Sequence, residues 1–389
     1  MTQDMSNPLD KLHSSIDEIQ KQLHHVFGHH HEQQPTFTQT NLVSDGSVSA
    51  KHTDSNLINP WGVSFGPSGP LWVSDNGTGV TTIYDGDGNP QTIAGNTAIT
   101  IAPPMGQTGP AAPTGQVFNN TGGGFDISQY GNSASSVFLF ATEDGTISGW
   151  NPSVNPGSSV LAVDDSGDSA VFKGLAIGTD DYGNSHLYAA DFHNNAVDIF
   201  DKDFNQVGSF TDPNLPDGYA PFNVQNLDGK LFVTFAQQNE DKHDDVAGPG
   251  HGFVDEFDLK GNLITRIASG GSPDSPLNSP WELDIAPPSF GKLAGNLLVG
   301  NFGDGTINVY DLKNNQFDGK LLGTDGKPIQ IGDLWALTNG GGGKGGDPNS
   351  VFFTAGVENE AHGLFGSLSP SDTMSSPDTT MTTSYPSQG

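Results

Sequence analysis

LLVGNFGDGTINVYD, at residues 297 to 311, is one of six copies of a pattern that recurs between residues 70 and 370. In each copy an apolar stretch leads into a polar turn and then into a second stretch that ends in an aromatic residue. The closing aromatics are Tyr84, Trp150, Phe200, Phe257, Tyr310 and Phe365, which are 66, 50, 57, 53 and 55 residues apart. A period of about 50 residues is typical of four-stranded propeller blades. The sequence therefore predicts an all-β fold, a six-bladed β-propeller of four-stranded antiparallel blades over residues 37–370.

Ring closure brings the same loop of every blade to one end of a shared central channel. Because strands alternate in direction, the start of each innermost strand and the turn between the second and third strands lie at the same end, which we call the channel mouth. Innermost strands are predicted to begin near NPWG (59–62), GGGFDIS (122–128) and SPWELDI (279–285), among others. Residues 37–45, FTQTNLVSD, alternate like a strand and are predicted to complete the last blade.

Segments of a different kind flank the repeats. Between residues 7 and 27, apolar residues recur with a 3,4 spacing, which predicts an amphipathic helix. Such a narrow stripe serves equally well to dock onto the propeller or to form a homo-oligomer. The helix leads into a His-rich linker, completing an N-terminal segment of residues 1–36, and the linker either binds metal or is merely polar. Residues 371–389 are rich in Ser, Thr and Pro, and we expect them to be disordered.

Composition limits the possible partners. The chain carries 45 Asp and Glu against 14 Lys and Arg, a net charge of −31, so we expect neither nucleic acid nor an anionic membrane as a partner. The absence of cysteine excludes thiolate nucleophiles and Cys zinc sites. No apolar stretch of about 18 residues is present to span a membrane. The acidic, Lys-poor composition favours an extracellular or cell-surface location, although the N-terminus lacks the pattern of a signal peptide.

The fourth repeat carries the longest insertion, QQNEDKHDDVAGPGHG at residues 237–252, in a turn predicted to lie at the mouth. Long loops at such positions are usually lids or ligand-binding loops. His243, Asp244 and His251 are candidate metal ligands within it, and His193 and His362 lie in the corresponding turns of blades three and six. Imidazole ligands make a transition metal possible. The alternative is an acidic surface loop with solvated histidines.

Oxygen ligands at strand ends suggest a further metal site. Asp191 and Asn301 end the second strands of blades three and five, while Asn223 and Glu282 lie at the starts of innermost strands in blades four and five. Carboxylates and amides without thiolates favour Ca²⁺. The alternative is that these side chains cap their own turns by accepting hydrogen bonds from backbone N–H groups.

Aromatic residues recur where innermost strands begin. Trp61, Trp281 and Trp335 occupy matching positions in blades one, five and six, with Phe222 in blade four and Lys173 in blade three. Aromatic side chains around a channel mouth suit a carbohydrate or a flat organic ligand. These residues are therefore candidates for binding a small-molecule substrate, and packing between neighbouring blades is the alternative explanation.

Several stretches resemble a family of uncharacterised bacterial six-bladed β-propellers, often found in organisms that use PEP-CTERM protein sorting. They are NPWG (59–62), FATEDGTISGWN (140–151), LYAADFHNN (187–195), PFNVQNLDGKLFVTF (221–235), DKHDDVAGPGHGFVDEFD (241–258), LVGNFGDGTINVYD (298–311) and ENEAHGLFG (358–366). The blade pattern is more distantly similar to NHL-type repeats and to calcium-dependent lactonase and gluconolactonase propellers. That second resemblance implies a divalent cation at the mouth, with Glu282, Asn223, Asn301 and Asp191 as counterparts of the ligands.

These observations support two hypotheses of function. The first is a metal-binding propeller that acts on a small polar or carbohydrate-like substrate by metal-assisted hydrolysis, with His243 or His193 as the general base. The second is a non-catalytic extracellular binding or matrix protein that oligomerises through residues 7–27. Motifs for a nucleophilic triad or a phosphate-binding loop are absent, which leaves metal-assisted or acid–base chemistry as the expected kind of reaction.

Overall fold

A computed structural model of the chain describes residues 34–371, and its strands form six antiparallel sheets of four strands each. From the innermost strand outward, blade one contains Pro60–Ser64, Leu71–Asp75, Val80–Tyr84 and Ala98–Thr100; blade two Pro113–Phe118, Phe138–Thr142, Thr146–Trp150 and Val160–Asp164; and blade three Phe172–Thr179, Ser185–Asp191, Ala196–Asp201 and Gln206–Phe210. Blade four contains Tyr219–Leu227, Lys230–Gln237, Phe253–Phe257 and Leu263–Ser269; blade five Pro280–Ile285, Leu297–Asn301, Ile307–Asp311 and Gln316–Lys320; and blade six Leu334–Asn339, Val351–Ala355, Leu364–Pro370 and Thr36–Ser44. The predicted six-bladed propeller is confirmed.

Short elements complete the described residues. His52–Thr53 and Leu322–Gly323 pair in parallel with the outermost strand of blade six. Short segments of 3₁₀-helix are formed by Ser166–Asp168, Pro288–Leu293 and Gly343–Gly345. Within residues 34–371, no helix is long and apolar enough to cross a membrane. The predicted amphipathic helix, His-rich linker and C-terminal tail lie almost wholly outside the described residues.

The six innermost strands contact one another in a closed ring, from blade one to blade six and back to blade one. Glycine makes this approach possible in the first three blades. A Cβ atom at Gly115 would lie 2.3 Å from the backbone nitrogen of Leu175, and one at Gly174 would lie 2.8 Å from the Cα atom of Asn223. The innermost strands therefore surround a narrow channel.

The N-terminal strand closes the ring. Thr36–Ser44 pairs antiparallel with Leu364–Pro370, with Phe37 opposite Pro370 and Ser44 opposite Leu364. Phe37, Leu42 and Val43 are buried in this blade and at its boundaries with blades five and one. The prediction that residues 37–45 complete the last blade is thereby confirmed.

The predicted first strand of blade two was wrong. Residues 122–128 do not line the channel; the innermost strand is Pro113–Phe118, and Asp126–Gln129 pairs with Asn132–Ser135 in a separate two-stranded hairpin. Gly122, Gly123 and Gly124 have φ angles of 77°, 158° and 77°, which are outside the β region open to other residues. The glycine run therefore forms a loop between two strands.

Candidate functional site

Aromatic side chains fill the centre of the channel. Trp61 and Trp335 stack with their ring centres 3.5 Å apart, and Trp281 meets these rings edge-on at 5.6 and 5.5 Å. Phe222 belongs to the same cluster, and all four side chains are at most 2% exposed. The sequence proposed these residues as substrate ligands, and the structure places them in the core, where they pack against one another.

Two of these indoles are fixed by residues of the mouth. Trp281 Nε1 donates a hydrogen bond to the backbone oxygen of Lys173 at 3.0 Å, and Trp335 Nε1 donates to Asn59 Oδ1 at 2.9 Å. The ammonium of Lys173 lies 5.2 Å from the ring centre of Trp61, a distance at which a cation is attracted by an indole ring. The aromatic cluster thus holds the residues above it in place.

Lys173 is a buried cation at the mouth. Its side chain is 2% exposed, and its ammonium pairs with Glu143 of blade two and, at 3.3 Å, with Asp244 of the blade four insertion. Burial lowers the pKa of Lys173, but the hydrogen bond and charge of Glu143, together with the charges of Asp244 and Asp245, hold the pKa above its ordinary value. The other oxygen of Glu143 accepts a hydrogen bond from Asn76 Nδ2 at 2.8 Å. Three blades and the insertion therefore meet at one ammonium group.

The blade four insertion brings an imidazole to the same place. His243 Nδ1 lies 2.9 Å from Asp244 Oδ1, and the His243 backbone N–H donates to Asn239 Oδ1 at 3.0 Å. The hydrogen bond from His243 lowers the pKa of Asp244 to about 2, and the same bond raises the pKa of His243. Ligand atoms of Glu143, His243 and Asp244 all lie within 4.8 Å of one another. These three side chains form the candidate metal site.

Asp245, the next residue, adds a carboxylate with one buried oxygen, Oδ2, that accepts no hydrogen bond among the described residues. Burial raises the pKa of Asp245 above its ordinary value, although the positive charge of Lys173 opposes the shift. A buried carboxylate oxygen without a donor is costly, so this atom is available to a cation or a proton donor.

Glu360 approaches the mouth from blade six. Its Oε2 atom accepts a hydrogen bond from Asn59 Nδ2 at 2.8 Å. Desolvation, with the negative charges of Glu143 and Asp245, raises the pKa of Glu360 to about 7. Glu358, Asn359 and Glu360 have φ angles of 62°, 58° and 64°, a left-handed turn that costs residues with a Cβ atom free energy. Strain of this kind is common where a chain positions a functional side chain.

Two of the predicted oxygen ligands form hydrogen bonds with the backbone of their own blades. Asp191 Oδ1 accepts from the backbone N–H groups of Val171 and Asn194, and its Oδ2 atom accepts from Asn194 Nδ2. Asn301 Oδ1 accepts from the N–H of Asn278, and its Nδ2 atom donates to the oxygen of Pro276. The bond between Asp191 and the Asn194 N–H matches the capping role that we considered as the alternative, whereas Asn301 binds the residues that precede the innermost strand of blade five.

Asn223 and Glu282 lie together deeper in the channel. Asn223 Nδ2 is 3.5 Å from Glu282 Oε1, and both side chains are buried. Burial raises the pKa of Glu282 well above its ordinary value. The structure thus joins two of the four positions implied by the lactonase resemblance, while Asp191 and Asn301 have separate partners.

The remaining histidines have separate surroundings. His251 Nδ1 lies 2.7 Å from the backbone oxygen of Val246, a contact within the blade four insertion. His362 Nδ1 lies 2.6 Å from Asp45 Oδ2, just after the closing strand. His193 is half-buried in the blade three turn, and its backbone oxygen is 3.4 Å from Gln238 Nε2. Of the five predicted histidines, His243 is the one that joins the cluster with Glu143 and Asp244.

Sequence reasoning missed Asn59, Asn76, Glu143 and Glu360. Asn76 and Glu143 each follow the last residue of a second strand, at a position that the repeat alignment did not compare. The sequence did contain a signal for these two residues: the position is polar in blades one and two, whereas blades three and five have Phe192 and Phe302 there. For Glu360, the left-handed turn that carries it is visible only in the structure.

No known protein-family profile matches the chain. The chain is 35% identical over 338 residues to the uncharacterized protein R648 of Acanthamoeba polyphaga mimivirus, which covers 84% of this chain and 78% of that protein. It is 34% identical over 337 residues to L690 of the same virus, covering 84% of each. Both relatives are viral, so the bacterial origin suggested by the motifs is not confirmed.

Solved propeller structures are similar in backbone and remote in sequence. Virginiamycin B lyase from Staphylococcus aureus gives a TM-score of 0.48 at 13% identity, covering 86% of this chain and 99% of that one. A luciferin-regenerating enzyme gives a TM-score of 0.45 at 12% identity, covering 81% and 91%.

Proposed function

The chain belongs to the family that includes the uncharacterized mimivirus proteins R648 and L690, and we propose that it is an enzyme with its active site at the channel mouth. A divalent cation would bind there and assist the hydrolysis of a small polar or carbohydrate-like substrate. The observation that carries this proposal is the convergence of Glu143 from blade two with His243 and Asp244 from the blade four insertion, with ligand atoms within 4.8 Å of one another.

The donor set fits a divalent cation at a catalytic position. Two carboxylates and one imidazole supply three ligands, and a catalytic site keeps further positions open for water or substrate. Carboxylates suit Ca²⁺ and Mn²⁺, whereas the imidazole of His243 favours Mn²⁺ or Zn²⁺ over Ca²⁺. When bound, such a cation would act as a Lewis acid and lower the pKa of a bound water.

The chain's own residues would supply positioning, charge and proton transfer. Lys173 would stabilise negative charge that develops on the substrate, because its ammonium is held in a site largely shielded from water. Glu360 would act as the general base, since its pKa of about 7 is close to the pH at which a base works best. His243, if it binds the cation, cannot also accept a proton at the same nitrogen. Asn59 would orient Glu360, and Asn76 would orient Glu143.

Metal binding tests the proposal directly. The purified full-length chain would be dialysed with Ca²⁺, Mn²⁺ or Zn²⁺ and analysed for bound metal and by calorimetry. We expect about one ion per chain and a loss of affinity of at least about tenfold in both Glu143→Gln and Asp244→Asn, because each variant removes one charged ligand. Asp241→Asn is the matched control, since Asp241 is an exposed acid of the same loop outside the cluster.

An equal response of all three variants, or the absence of bound metal, would contradict metal-assisted hydrolysis. Chromogenic esters and lactones would then be assayed with Glu360→Gln, and loss of hydrolysis in that variant alone would assign acid–base chemistry to the mouth.

One observation favours the non-catalytic alternative. Lys173 already lies between Glu143 and Asp244, where it neutralises part of the charge that would attract a metal. This charge balance suits a binding or matrix protein, for which assembly is the expected property. Light scattering of the full chain against a chain that begins at Pro35 tests it; the same number of subunits in both would count against assembly through residues 7–27.

A further inference from the structure

Two adjoining cavities lie at the end of the channel opposite the mouth, where the innermost strands finish. A cavity of about 490 Å³, which we call the polar cavity, is lined by residues that include Ser64, Gln116, Gln225, Asn226 and Thr338. A second cavity of about 340 Å³, the aromatic cavity, lies between blades one and two. Phe118 lines both, and the chain passes from one to the other between Phe65 and Gly66.

The aromatic cavity is built to take a ring. Trp72 stacks on Phe138 with ring centres 4.2 Å apart, and Trp150 lies 4.9 Å from Trp72. All three are nearly buried, while Ile93 and Pro152 form a more exposed rim. Among the described residues that line this cavity, none is ionisable. An aromatic or other flat apolar group is therefore the part of a ligand that fits here.

The polar cavity offers fixed hydrogen-bonding groups. Gln116 Nε2 donates to the oxygen of Gly62 at 3.0 Å, and Asn226 Nδ2 donates to the oxygen of Ile177 at 2.8 Å. These contacts hold both amides in place. The hydroxyl oxygen of Ser64 is buried and lacks a hydrogen-bond partner among the described residues. It is available to a ligand hydroxyl.

Charge selects against an anion. Asp228 is the one ionisable side chain among the described residues that line the polar cavity, and the chain as a whole carries a net charge of −31. A phosphate or carboxylate would be repelled by both. The groups that remain are neutral and polar, such as the hydroxyls of a sugar.

We propose that the two cavities together bind a neutral molecule in which an aromatic ring is joined to a hydroxyl-rich group, as in an aryl glycoside. The ring would occupy the aromatic cavity and the hydroxyls would bind in the polar cavity. Trp61 lies at the start of the innermost strand that ends at Ser64, and its buried cluster with Trp281 and Trp335 separates this site from the mouth. The site is therefore independent of the proposed active site.

Calorimetry of the full-length chain with phenyl β-glucoside tests this site. We expect the glucoside to bind at least about tenfold more tightly than glucose, phenol or phenyl phosphate, a gain of about 1.4 kcal/mol from joining the two halves. Ile93→Glu should weaken binding by at least about tenfold, because it places a charge in the apolar cavity. Val207→Glu is the matched control, since Val207 is 55% exposed on the outermost strand of blade three.

Ser64→Ala provides a second variant with little effect on folding. We expect it to weaken binding of the glucoside by about threefold or more without changing the binding of phenol. Absence of glucoside binding, stronger binding of phenyl phosphate, or equal affinity in Ile93→Glu and Val207→Glu would overturn the proposal. Metal uptake at the mouth is measured separately, so failure of one site leaves the other testable.

Discussion

Lys173 partly balances a group of carboxylates contributed by three different blades. Glu143 and Asp244 contact its ammonium, and Asp245 and Glu360 lie within the range of its charge. Removing one partner of a buried ion pair leaves an uncompensated charge, which costs far more than the pair itself contributes. The residue is therefore a sensitive point for stability as well as for the proposed chemistry.

Lys173→Met is expected to lower the free energy of unfolding by about 3 kcal/mol at pH 7, because Glu143 would remain largely buried without its cation. Urea denaturation measures this difference. Lys202→Met is the matched control: Lys202 pairs with Asp203, and their side chains are 61% and 66% exposed, so its loss should cost about 1 kcal/mol or less. Equal costs in the two variants would show that Lys173 makes no special contribution.

Glu360 gives the mouth a pH-dependent stability. Its pKa rises from an ordinary 4.5 to about 7 on folding, so the folded state binds the extra proton between these values. The stability that this provides is complete below pH 4.5 and is lost as the pH rises through 7. Glu360→Gln should therefore raise the melting temperature at pH 8 and leave it nearly unchanged at pH 4.5.

Scanning fluorimetry across this pH range is sufficient to measure the effect. Glu240→Gln, in the blade four insertion, serves as the exposed control. A melting temperature that differs from the native chain by the same amount at both pH values would contradict a raised pKa for Glu360.

The site residues at the ends of the second strands lie one position beyond those that the sequence pattern selected. The repeat alignment selected Asp191 and Asn301, the last residues of their strands, and these side chains accept hydrogen bonds from backbone N–H groups that precede the innermost strands. The following position provides Glu143 in blade two and Phe192 in blade three, which contact Lys173. Neighbouring residues of an extended chain face opposite sides, so an error of one position replaces a channel residue by a turn residue.

The innermost strands pack so closely that a single added carbon atom is expected to destabilise the fold. A Cβ atom at Gly115 would meet the backbone of blade three at 2.3 Å, and backbone atoms in a closed ring have little room to move. Gly115→Ala should lower the free energy of unfolding by about 2 kcal/mol through this overlap. Gly109→Ala, where the added atom would have nothing within 4 Å, is the control for urea denaturation, and equal values would contradict tight packing between blades.

His362 links the blade six turn to the end of the closing strand. Its Nδ1 atom is 2.6 Å from Asp45 Oδ2, and its Nε2 atom is 3.7 Å from Glu358. The hydrogen bond to Asp45 raises the pKa of His362 above 6.5, and that of Asp45 is lowered from 3.8 despite its partial burial, by hydrogen bonds to Ser47 and His362. The contribution of His362 to the stability of the folded state is complete below pH 6.5 and is lost as the pH rises through its folded pKa. The contribution of Asp45 is lost as the pH falls below about 4.

Between pH 6 and pH 8, the melting temperature of the native chain should therefore fall by more than that of His362→Gln. His193→Gln is the matched control, since it alters a histidine of the corresponding turn in blade three. Parallel pH profiles for the native chain and His362→Gln would rule out this link.

At the scale of the whole molecule, periodicity predicted the ring but not its contents. The repeat spacing and the alternation of residues 37–45 were enough for six blades and for closure by the N-terminal strand. Lys173 pairs with Glu143 and Asp244, which lie 30 and 71 positions away from it in the chain. Such contacts depend on the twist and packing of whole blades, which no local pattern records.

Closure by the N-terminal strand makes the stability of every blade depend on residues 36–44. Removing residues 1–44 would leave Leu364–Pro370 as an exposed edge and would lose Phe37, Leu42 and Val43, which are at most 1% exposed. At about 2 kcal/mol for each buried apolar side chain, the loss is comparable to the whole stability of a typical domain. We expect this truncation to abolish cooperative unfolding, whereas a chain that begins at Gln34 keeps every closing contact and should unfold cooperatively.

A peptide of residues 35–45 should restore cooperative unfolding to the truncated chain, because it can add to the open edge as the missing strand. The same peptide with Phe37→Asp and Leu42→Asp is the control, since its backbone can pair but its side chains cannot enter the core. Calorimetry and circular dichroism of the mixtures measure the outcome. Cooperative unfolding of the truncated chain without peptide would show that the ring does not need its fourth strand in blade six.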